Sequence, residues 1–268
     1  MDTFPLDGDP LPKKKDGSSY NGWLLFFDEL PAATRAVQAA AYKILLDRKV
    51  GQADLHENVY MCGAGNLETD GAVSFGMSTA LKSRLIHINL EVRAPDWLAW
   101  ALSNNVHQYI TSYINFKSNA LYTFDPNSPD NTYASPRTWA FLSRLMDNGL
   151  DMSTPEGSAL AQGTIGTVSK EFKAFIANYG KLPKLADIIA DPDKVDMPSE
   201  PGTLYALCGS LSTWVDASNI SPIYRYLARM PAEYQVVTIK DAVKRSPSVR
   251  NTPEMKGWIA KNATALYS

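Results

Sequence analysis

Four polar side chains stand beside apolar segments of the sequence in an order that suits the hydrolysis of a nucleoside triphosphate. Asp28 and Glu29 directly follow one apolar run, Asn66 follows a second, and Arg84 precedes a third. An aspartate so placed can hold the water shell of a magnesium ion, and a neighbouring glutamate can orient and deprotonate an attacking water. An amide can hold the same water, and a guanidinium can stabilise charge on the transferring phosphoryl group.

Each of these residues also has a simpler interpretation, which the sequence leaves open. Acidic residues such as Asp28 and Glu29 are favoured where a strand gives way to the first turn of a helix. Asn66 follows Gly65, and this pair is typical of a turn. The simpler interpretation of Arg84 is a residue that forms an ion pair at the protein surface. The order of the four residues along the chain, rather than any one of them, favours the catalytic interpretation.

The sequence around these residues predicts the elements that position them. The apolar runs Trp23–Phe27 and Val59–Cys62 predict strands buried on both faces of a parallel sheet, and the alternation over Leu85–Val92 predicts a third strand. Apolar residues at three- and four-residue steps predict an amphipathic helix over 33–45, and Gly51 marks a short hairpin after it. This order is an α/β pattern, in which ligands bind at the carboxyl ends of the strands.

Helices are predicted for most of the chain after Pro95. One is expected over Trp97–Phe116, and another begins where Ser135 provides an N-cap and Pro136 a first-turn residue. The expected organisation is a flexible lead-in at 1–20, an α/β core at 21–93, a helical lid at 94–150 and a helical C-terminal extension at 151–268.

Composition excludes several classes of function. The chain has 268 residues, of which 45% are hydrophobic and 20% charged, as in ordinary folded proteins. The net charge of −2 provides no basic field for nucleic acid. Two Cys and three His, without metal-ligand spacing, are too few for a disulfide framework or a zinc site. With no long apolar run and no signal peptide, we expect no membrane partner and a cytoplasmic location.

Five segments, in the same order along the chain, resemble MoxR-like AAA+ ATPases of the dynein-related subfamily, and the resemblance covers Trp23 to Met146. The segments resemble the Walker B strand, the helix and hairpin after it, the sensor-1 strand end, the arginine-finger segment and the start of the sensor-2 helix. They are residues 23–30, 37–42 with 46–51, 63–66, 77–85 and 135–139, respectively.

The resemblance implies a function and a set of roles. Such proteins form homo-oligomeric rings, hexamers in this family, that couple ATP binding and hydrolysis to remodelling of a protein partner, often one with a von Willebrand A domain. By this resemblance Glu29 is the catalytic base, Asn66 the polar sensor and Arg84 an arginine finger that reaches a neighbouring subunit. Asp28 holds Mg²⁺, and Arg137 contacts the phosphates of ATP. The implied fold is a partial P-loop sheet followed by a helical lid.

One essential motif of these ATPases is missing. The chain contains no G-x-x-x-x-G-K-S/T loop, the phosphate-binding Walker A motif, and its one Gly-Lys pair, Gly180-Lys181, lacks the upstream glycine. In the family, the strand that carries this loop lies between the second and third strands predicted here. Two interpretations remain open: the chain is a portion of a longer ATPase, or it is a catalytically inactive, AAA-derived interaction scaffold. In either case we expect the chain alone to be inactive.

Overall fold

A computed structural model describes residues 4–67 and 76–262, and the fold is mixed α/β with a majority of helix. The chain divides into two compact units, Met1–Leu90 and Glu91–Ser268. The first unit contains all strands of the described residues, and the second is helical. No helix among the described residues is long and apolar enough to cross a membrane.

The first unit is built around a pair of parallel strands. The strands β1 and β4 pair in a register that runs from Trp23 opposite Val59 to Phe27 opposite Gly63. Between them lie a helix and an antiparallel hairpin, both as predicted. The elements are β1 (Trp23–Phe27), α1 (Arg35–Asp47), β2 (Lys49–Val50), β3 (Ala53–Asp54), β4 (Val59–Gly63) and the short α2 (Thr79–Lys82).

The side chain of Arg48 connects the end of α1 to the start of β4 by hydrogen bonds. It ends the helix in the left-handed conformation, with φ of 55°. Its guanidinium donates hydrogen bonds to the carbonyl oxygens of His56, Glu57 and Val59, at 2.9, 3.2 and 3.0 Å. One side chain thereby satisfies three carbonyl groups of the segment that leads into β4.

The predicted third strand, Leu85–Val92, is not formed. These residues have no regular secondary structure, and the side chains of Ile86, Ile88 and Leu90 are 93%, 79% and 94% exposed. Alternation specifies an amphipathic strand but does not supply a neighbour for its backbone groups. Within the described residues, the parallel sheet therefore has two strands instead of three.

The prediction that β1 and β4 are buried on both faces is also wrong. Leu24 and Phe26 of β1 are 68% and 53% exposed, and Tyr60 of β4 is 65% exposed. The opposite face is partly covered: Val59 is only 2% exposed, whereas Trp23, Leu25 and Phe27 are half-buried. An unbroken apolar run cannot tell a sheet that is covered on both sides from one that is covered on one side.

Part of the lead-in contacts the hairpin. Leu6 forms an isolated antiparallel bridge with Leu55, and the amide of Asp7 donates to the carbonyl of Asp54 at 2.9 Å. The amide of His56 in turn donates to the carbonyl of Pro5 at 3.1 Å.

The second unit contains ten described α-helices. The single helix predicted over Trp97–Phe116 is two helices, because Asn105 adopts φ of +54° and the Ser143 hydroxyl accepts a hydrogen bond from the amide of His107. The helices are α3 (Ala94–Ser103), α4 (Gln108–Phe116), α5 (Pro136–Asp147), α6 (Pro155–Ile165), α7 (Val168–Ile176), α8 (Leu185–Ala190), α9 (Pro201–Trp214), α10 (Ile220–Leu227), α11 (Ala232–Arg245) and α12 (Pro253–Lys261).

The predicted start of α5 is confirmed in detail. The Ser135 hydroxyl accepts from the amide of Thr138, the Thr138 hydroxyl accepts from the amide of Ser135, and Pro136 occupies the first turn. Reciprocal capping of this kind satisfies two amides that the helix leaves unpaired. The cap positions Trp139, which is fully buried and donates to the carbonyl of Ala120 at 3.0 Å.

Two apolar clusters form the core of the helical unit. The first is centred on Tyr113, Trp139 and Phe172, and it includes residues on both sides of position 150, where the predicted lid ends. The second surrounds α9 and α11 and includes Tyr226 and Trp258. Ala206 of α9 belongs to the first cluster and Leu207 to the second, so α9 is shared by both.

Candidate functional site

The acid pair lies in a tight turn directly after β1. The Asp28 carboxylate accepts a hydrogen bond from the amide of Glu29 at 3.1 Å, and both side chains are exposed. The backbone on either side is fixed to Ala64, the residue directly after β4, by two hydrogen bonds: the amide of Ala64 donates to the carbonyl of Phe27, and the amide of Leu30 donates to the carbonyl of Ala64. The turn is therefore anchored at both ends while its carboxylates face solvent.

Glu29 adopts the left-handed conformation, with φ of 51° and ψ of 35°. A residue with a Cβ atom loses about 1–2 kcal/mol in this conformation. The anchored neighbours, Phe27 and Leu30, explain how the conformation is maintained. Backbone strain of this kind is concentrated at functional sites.

Because of this conformation, we expect Glu29→Gly to raise the free energy of unfolding by up to about 1 kcal/mol, since glycine adopts a positive φ without steric penalty. Glu29→Ala is the matched control, because it removes the same side chain and retains the Cβ atom. Urea denaturation of both variants measures the difference. If alanine and glycine are equally stable at this position, Glu29 is not strained.

Gln38 of α1 forms hydrogen bonds with the segment that follows the turn. Its side chain is 2% exposed, and its amide donates to the carbonyl oxygens of Ala33 at 3.0 Å and Pro31 at 3.4 Å. In the sequence, Gln38 is one of the polar residues between the apolar positions of this helix. Only its contacts show that it holds the segment that follows the acid pair.

The loop that carries Asn66 packs against the same segment. An ideal Cβ atom at Gly65 would lie 2.2 Å from Cδ and 2.6 Å from Cγ of Pro31. A side chain at position 65 is therefore excluded while the loop and the turn keep this contact. Gly65 precedes Asn66 directly and Pro31 follows Glu29 by two residues, so the contact brings the two predicted catalytic segments together.

A groove with a volume of about 430 Å³ lies at this end of the two strands. Of the predicted catalytic residues, Asn66 lines it, whereas Asp28, Glu29 and Arg84 are not among its described lining residues. The wall also contains His87, whose Nε2 donates to the carbonyl of Lys82 at 2.9 Å. The sequence did not predict that His87 would line a groove beside Asn66.

Arg84 follows α2 and is exposed, with its amide donating to the carbonyl of Leu81 at 3.0 Å. The helix begins at Ser78, whose hydroxyl accepts from the amide of Leu81 and from the hydroxyl of Tyr42. Leu81 is fully buried. Tyr42 of α1 and the buried Leu81 thus hold the segment that presents Arg84.

Arg137 belongs to the helical unit, in the first turn of α5. It lines a separate groove of about 570 Å³. Trp97, Trp100, Phe141 and Arg144 share the wall, and the guanidinium of Arg144 lies over the Phe141 ring at 4.9 Å. Two guanidinium groups beside aromatic rings are a suitable environment for a planar or anionic ligand.

The residues fit part of a Mg²⁺–nucleotide site. Among the described residues there is no group of three or more His, Cys, Asp or Glu that could hold a metal by itself. Mg²⁺ bound with a nucleotide uses one or two carboxylates, several waters and the phosphates, so Asp28 is sufficient as a protein ligand of this kind. The phosphate-binding loop has no counterpart in the sequence.

The chain matches no protein-family model, no curated protein and no solved structure in the comparisons.

Proposed function

We propose that this chain carries the water-activating part of a MoxR-like AAA+ ATPase, which couples ATP hydrolysis to remodelling of a protein partner. The observation that supports the proposal most directly is the parallel pairing of β1 with β4. It brings Asp28, Glu29 and Asn66 to the same end of the sheet, where nucleotide sites of open α/β folds lie. The contact between Gly65 and Pro31 supports the same arrangement.

The proposed roles follow from the chemistry of each side chain. Asp28 would hold a water molecule of a bound Mg²⁺ ion. The ion, when bound, would neutralise negative charge on the phosphates. Glu29 accepts a proton from the attacking water, and Asn66 orients that water by a hydrogen bond. Arg84 stabilises negative charge in the pocket of a neighbouring subunit, and Arg137 contacts the phosphates.

Under this proposal, phosphate binding comes from a Walker A segment outside the residues of this chain. The side chains of Leu24, Phe26 and Tyr60 leave one face of the two-stranded sheet exposed, as expected if a layer that packs on this face lies outside the described residues. The assembly proposed is a homo-oligomeric, hexameric ring that binds ATP and acts on a partner with a von Willebrand A domain.

A second candidate function is an interaction scaffold without turnover. The same exposed face favours it, because an apolar sheet surface can bind a partner without any catalytic chemistry. Nucleotide binding distinguishes the two candidates, since a scaffold has no need for Mg²⁺ or ATP.

The ATPase proposal is tested in two steps. The first is the nucleotide sequence upstream of Met1: an in-frame Walker A segment supports the ATPase, and a stop codon directly upstream favours the scaffold. The second uses the longer protein, in which Glu29→Gln should bind ATP with Mg²⁺, as measured by calorimetry, and should no longer hydrolyse it. The exposed Glu57→Gln is the matched control and should keep full activity.

The in-trans role of Arg84 has its own test. Arg84→Ala should also stop hydrolysis, and mixing it with Glu29→Gln subunits should restore part of the activity. Recovery is expected because some interfaces of a mixed ring combine an intact finger with an intact base. Mixed rings without any recovery would contradict the role of Arg84, and hydrolysis by the 268-residue chain alone would contradict the need for a separate phosphate-binding segment.

A further inference from the structure

The segment Ile86–Val92 has the alternating pattern of a strand, and its residues 86–90 line the groove beside Asn66, but no strand pairs with it among the described residues. Ile86, Ile88 and Leu90 alternate along it and are 93%, 79% and 94% exposed, and Val92 is 44% exposed. Among the described residues, no backbone hydrogen bond joins residues 86–92 to the rest of the chain. A row of unpaired backbone groups beside exposed β-forming side chains is a template for pairing with another strand.

We propose that this segment pairs antiparallel with the same segment of a second copy of the chain, in a register centred on Asn89. In this register Ile88 lies opposite Leu90 of the second copy, and Ile86 lies opposite Val92. All four apolar side chains then share one face of the strand pair, because residues of like parity lie opposite each other.

Charge complementarity selects this arrangement. The centred antiparallel register places His87 opposite Glu91 of the second copy, twice by symmetry. A parallel in-register pair would instead place His87 beside His87 and Glu91 beside Glu91, and like groups directly opposite each other are unfavourable. The sequence of the segment is thus complementary to itself only when the two copies run in opposite directions.

The position of His87 suits this contact. Its Nε2 donates to the carbonyl of Lys82, so the ring is fixed against the end of α2. In the proposed register, the His87 ring and the Glu91 carboxylate of the second copy lie on the same face of the strand pair.

The dimer is isologous, because the same residues of both copies meet across a two-fold axis. It differs from a ring interface, in which two different surfaces of neighbouring subunits meet. A strand has two edges. The proposed pairing uses one edge of residues 86–92 and leaves the other edge for the strand that carries the Walker A loop in the ATPase proposal. The dimer does not depend on that proposal, and nucleotide plays no part in its formation.

The test is sedimentation of the 268-residue chain over a range of concentrations. The wild-type chain should form a dimer that dissociates on dilution. His87→Glu or Glu91→Lys alone should weaken the dimer about tenfold, because each turns two symmetry-related contacts from attractive to repulsive. Glu57→Lys, which changes an exposed charge outside the segment, is the matched control and should leave the dimer unchanged.

Charge exchange makes the test specific to the register. An equimolar mixture of His87→Glu and Glu91→Lys chains should dimerise about as tightly as the wild type, because each unlike pair places opposite charges across the interface. The double variant His87→Glu/Glu91→Lys should do the same by itself. Circular dichroism of each variant measures whether it is folded.

Three outcomes would overturn the proposal. The first is a chain that stays monomeric at every concentration. The second is a dimer that survives both single charge reversals but dissociates in Phe26→Ser, since the interface would then be the exposed face of the two-stranded sheet. The third is loss of the dimer in the single variants without recovery in their mixture, which would indicate an occupant other than a second copy.

Discussion

Asp241→Asn should remove a contribution to the stability of the wild-type chain that falls as the pH rises. Asp241 of α11 is 7% exposed, and burial raises the pKa of its carboxyl from 3.8 to about 6. The positive charges of Arg245 and Lys244, and a hydrogen bond from the Asn115 amide of α4 at 3.3 Å, oppose this shift without cancelling it. Burial therefore outweighs the neighbouring charges.

The sign of the effect follows from proton linkage. The folded chain binds the proton of Asp241 more tightly than the unfolded chain does, so the native state is favoured at low pH. Its advantage disappears as the pH rises through the folded-state pKa of about 6. At 1.36 kcal/mol per pKa unit, the free energy of unfolding attributable to this group falls by about 3 kcal/mol between about pH 4 and about pH 7.

Urea denaturation at several pH values measures this effect as the difference between wild type and Asp241→Asn. The exposed Asp130→Asn is the matched control, because it makes the same substitution in a surface loop. We expect the Asp241 variant to gain stability relative to wild type as the pH rises and the Asp130 variant to follow the wild type. Parallel curves for wild type and Asp241→Asn would mean that the carboxyl is not desolvated.

Gly65→Ala should separate the two segments of the candidate site. The new Cβ atom would overlap with Cδ and Cγ of Pro31, which belongs to the turn after Glu29. Overpacking of this kind typically costs about 1–3 kcal/mol. We expect faster hydrogen exchange of the β1 and β4 amides, because the turn is anchored to β4 next to Gly65.

A second substitution tests the cause. Pro31→Ala removes Cγ and Cδ, and the remaining Cβ of residue 31 lies 3.6 Å from the ideal Cβ position at Gly65, an ordinary contact distance. The double variant Gly65→Ala/Pro31→Ala should therefore recover most of the protection that Gly65→Ala loses. Gly163→Ala in α6 is the control, because nothing lies within 4 Å of its Cβ position. Failure of Pro31→Ala to rescue would mean that the contact does not limit stability.

The features that the sequence predicted well depend on local signals. The first two strands, the hairpin and the capped start of α5 each follow from residues that are adjacent or a few positions apart. The parallel pairing was also expected, and it places the acid pair and Asn66 at the same strand end. At these positions the local sequence pattern agrees with the final fold, so a single sequence is sufficient to predict them.

The features that the sequence did not predict depend on distant partners. The alternation over Leu85–Val92 is real, but the backbone groups of that segment have no neighbour in the described chain. The predicted helix over Trp97–Phe116 is divided where Ser143, far along the sequence, binds His107. The roles of Gln38 and Gly65 likewise come from contacts with the turn after Glu29, and no spacing rule records such contacts.

The side chain of Arg48 has a consequence for how quickly the first unit folds. Parallel strands pair only after the whole connection between them has closed, and the entropy lost in closing a long loop makes such pairs slow to form. Arg48 binds carbonyl groups only 8, 9 and 11 residues away. These short-range contacts dock the start of β4 on the end of α1, so β1 then meets its partner by closing only the short segment between Phe27 and Arg35. A single guanidinium thus divides one long loop closure into two short ones.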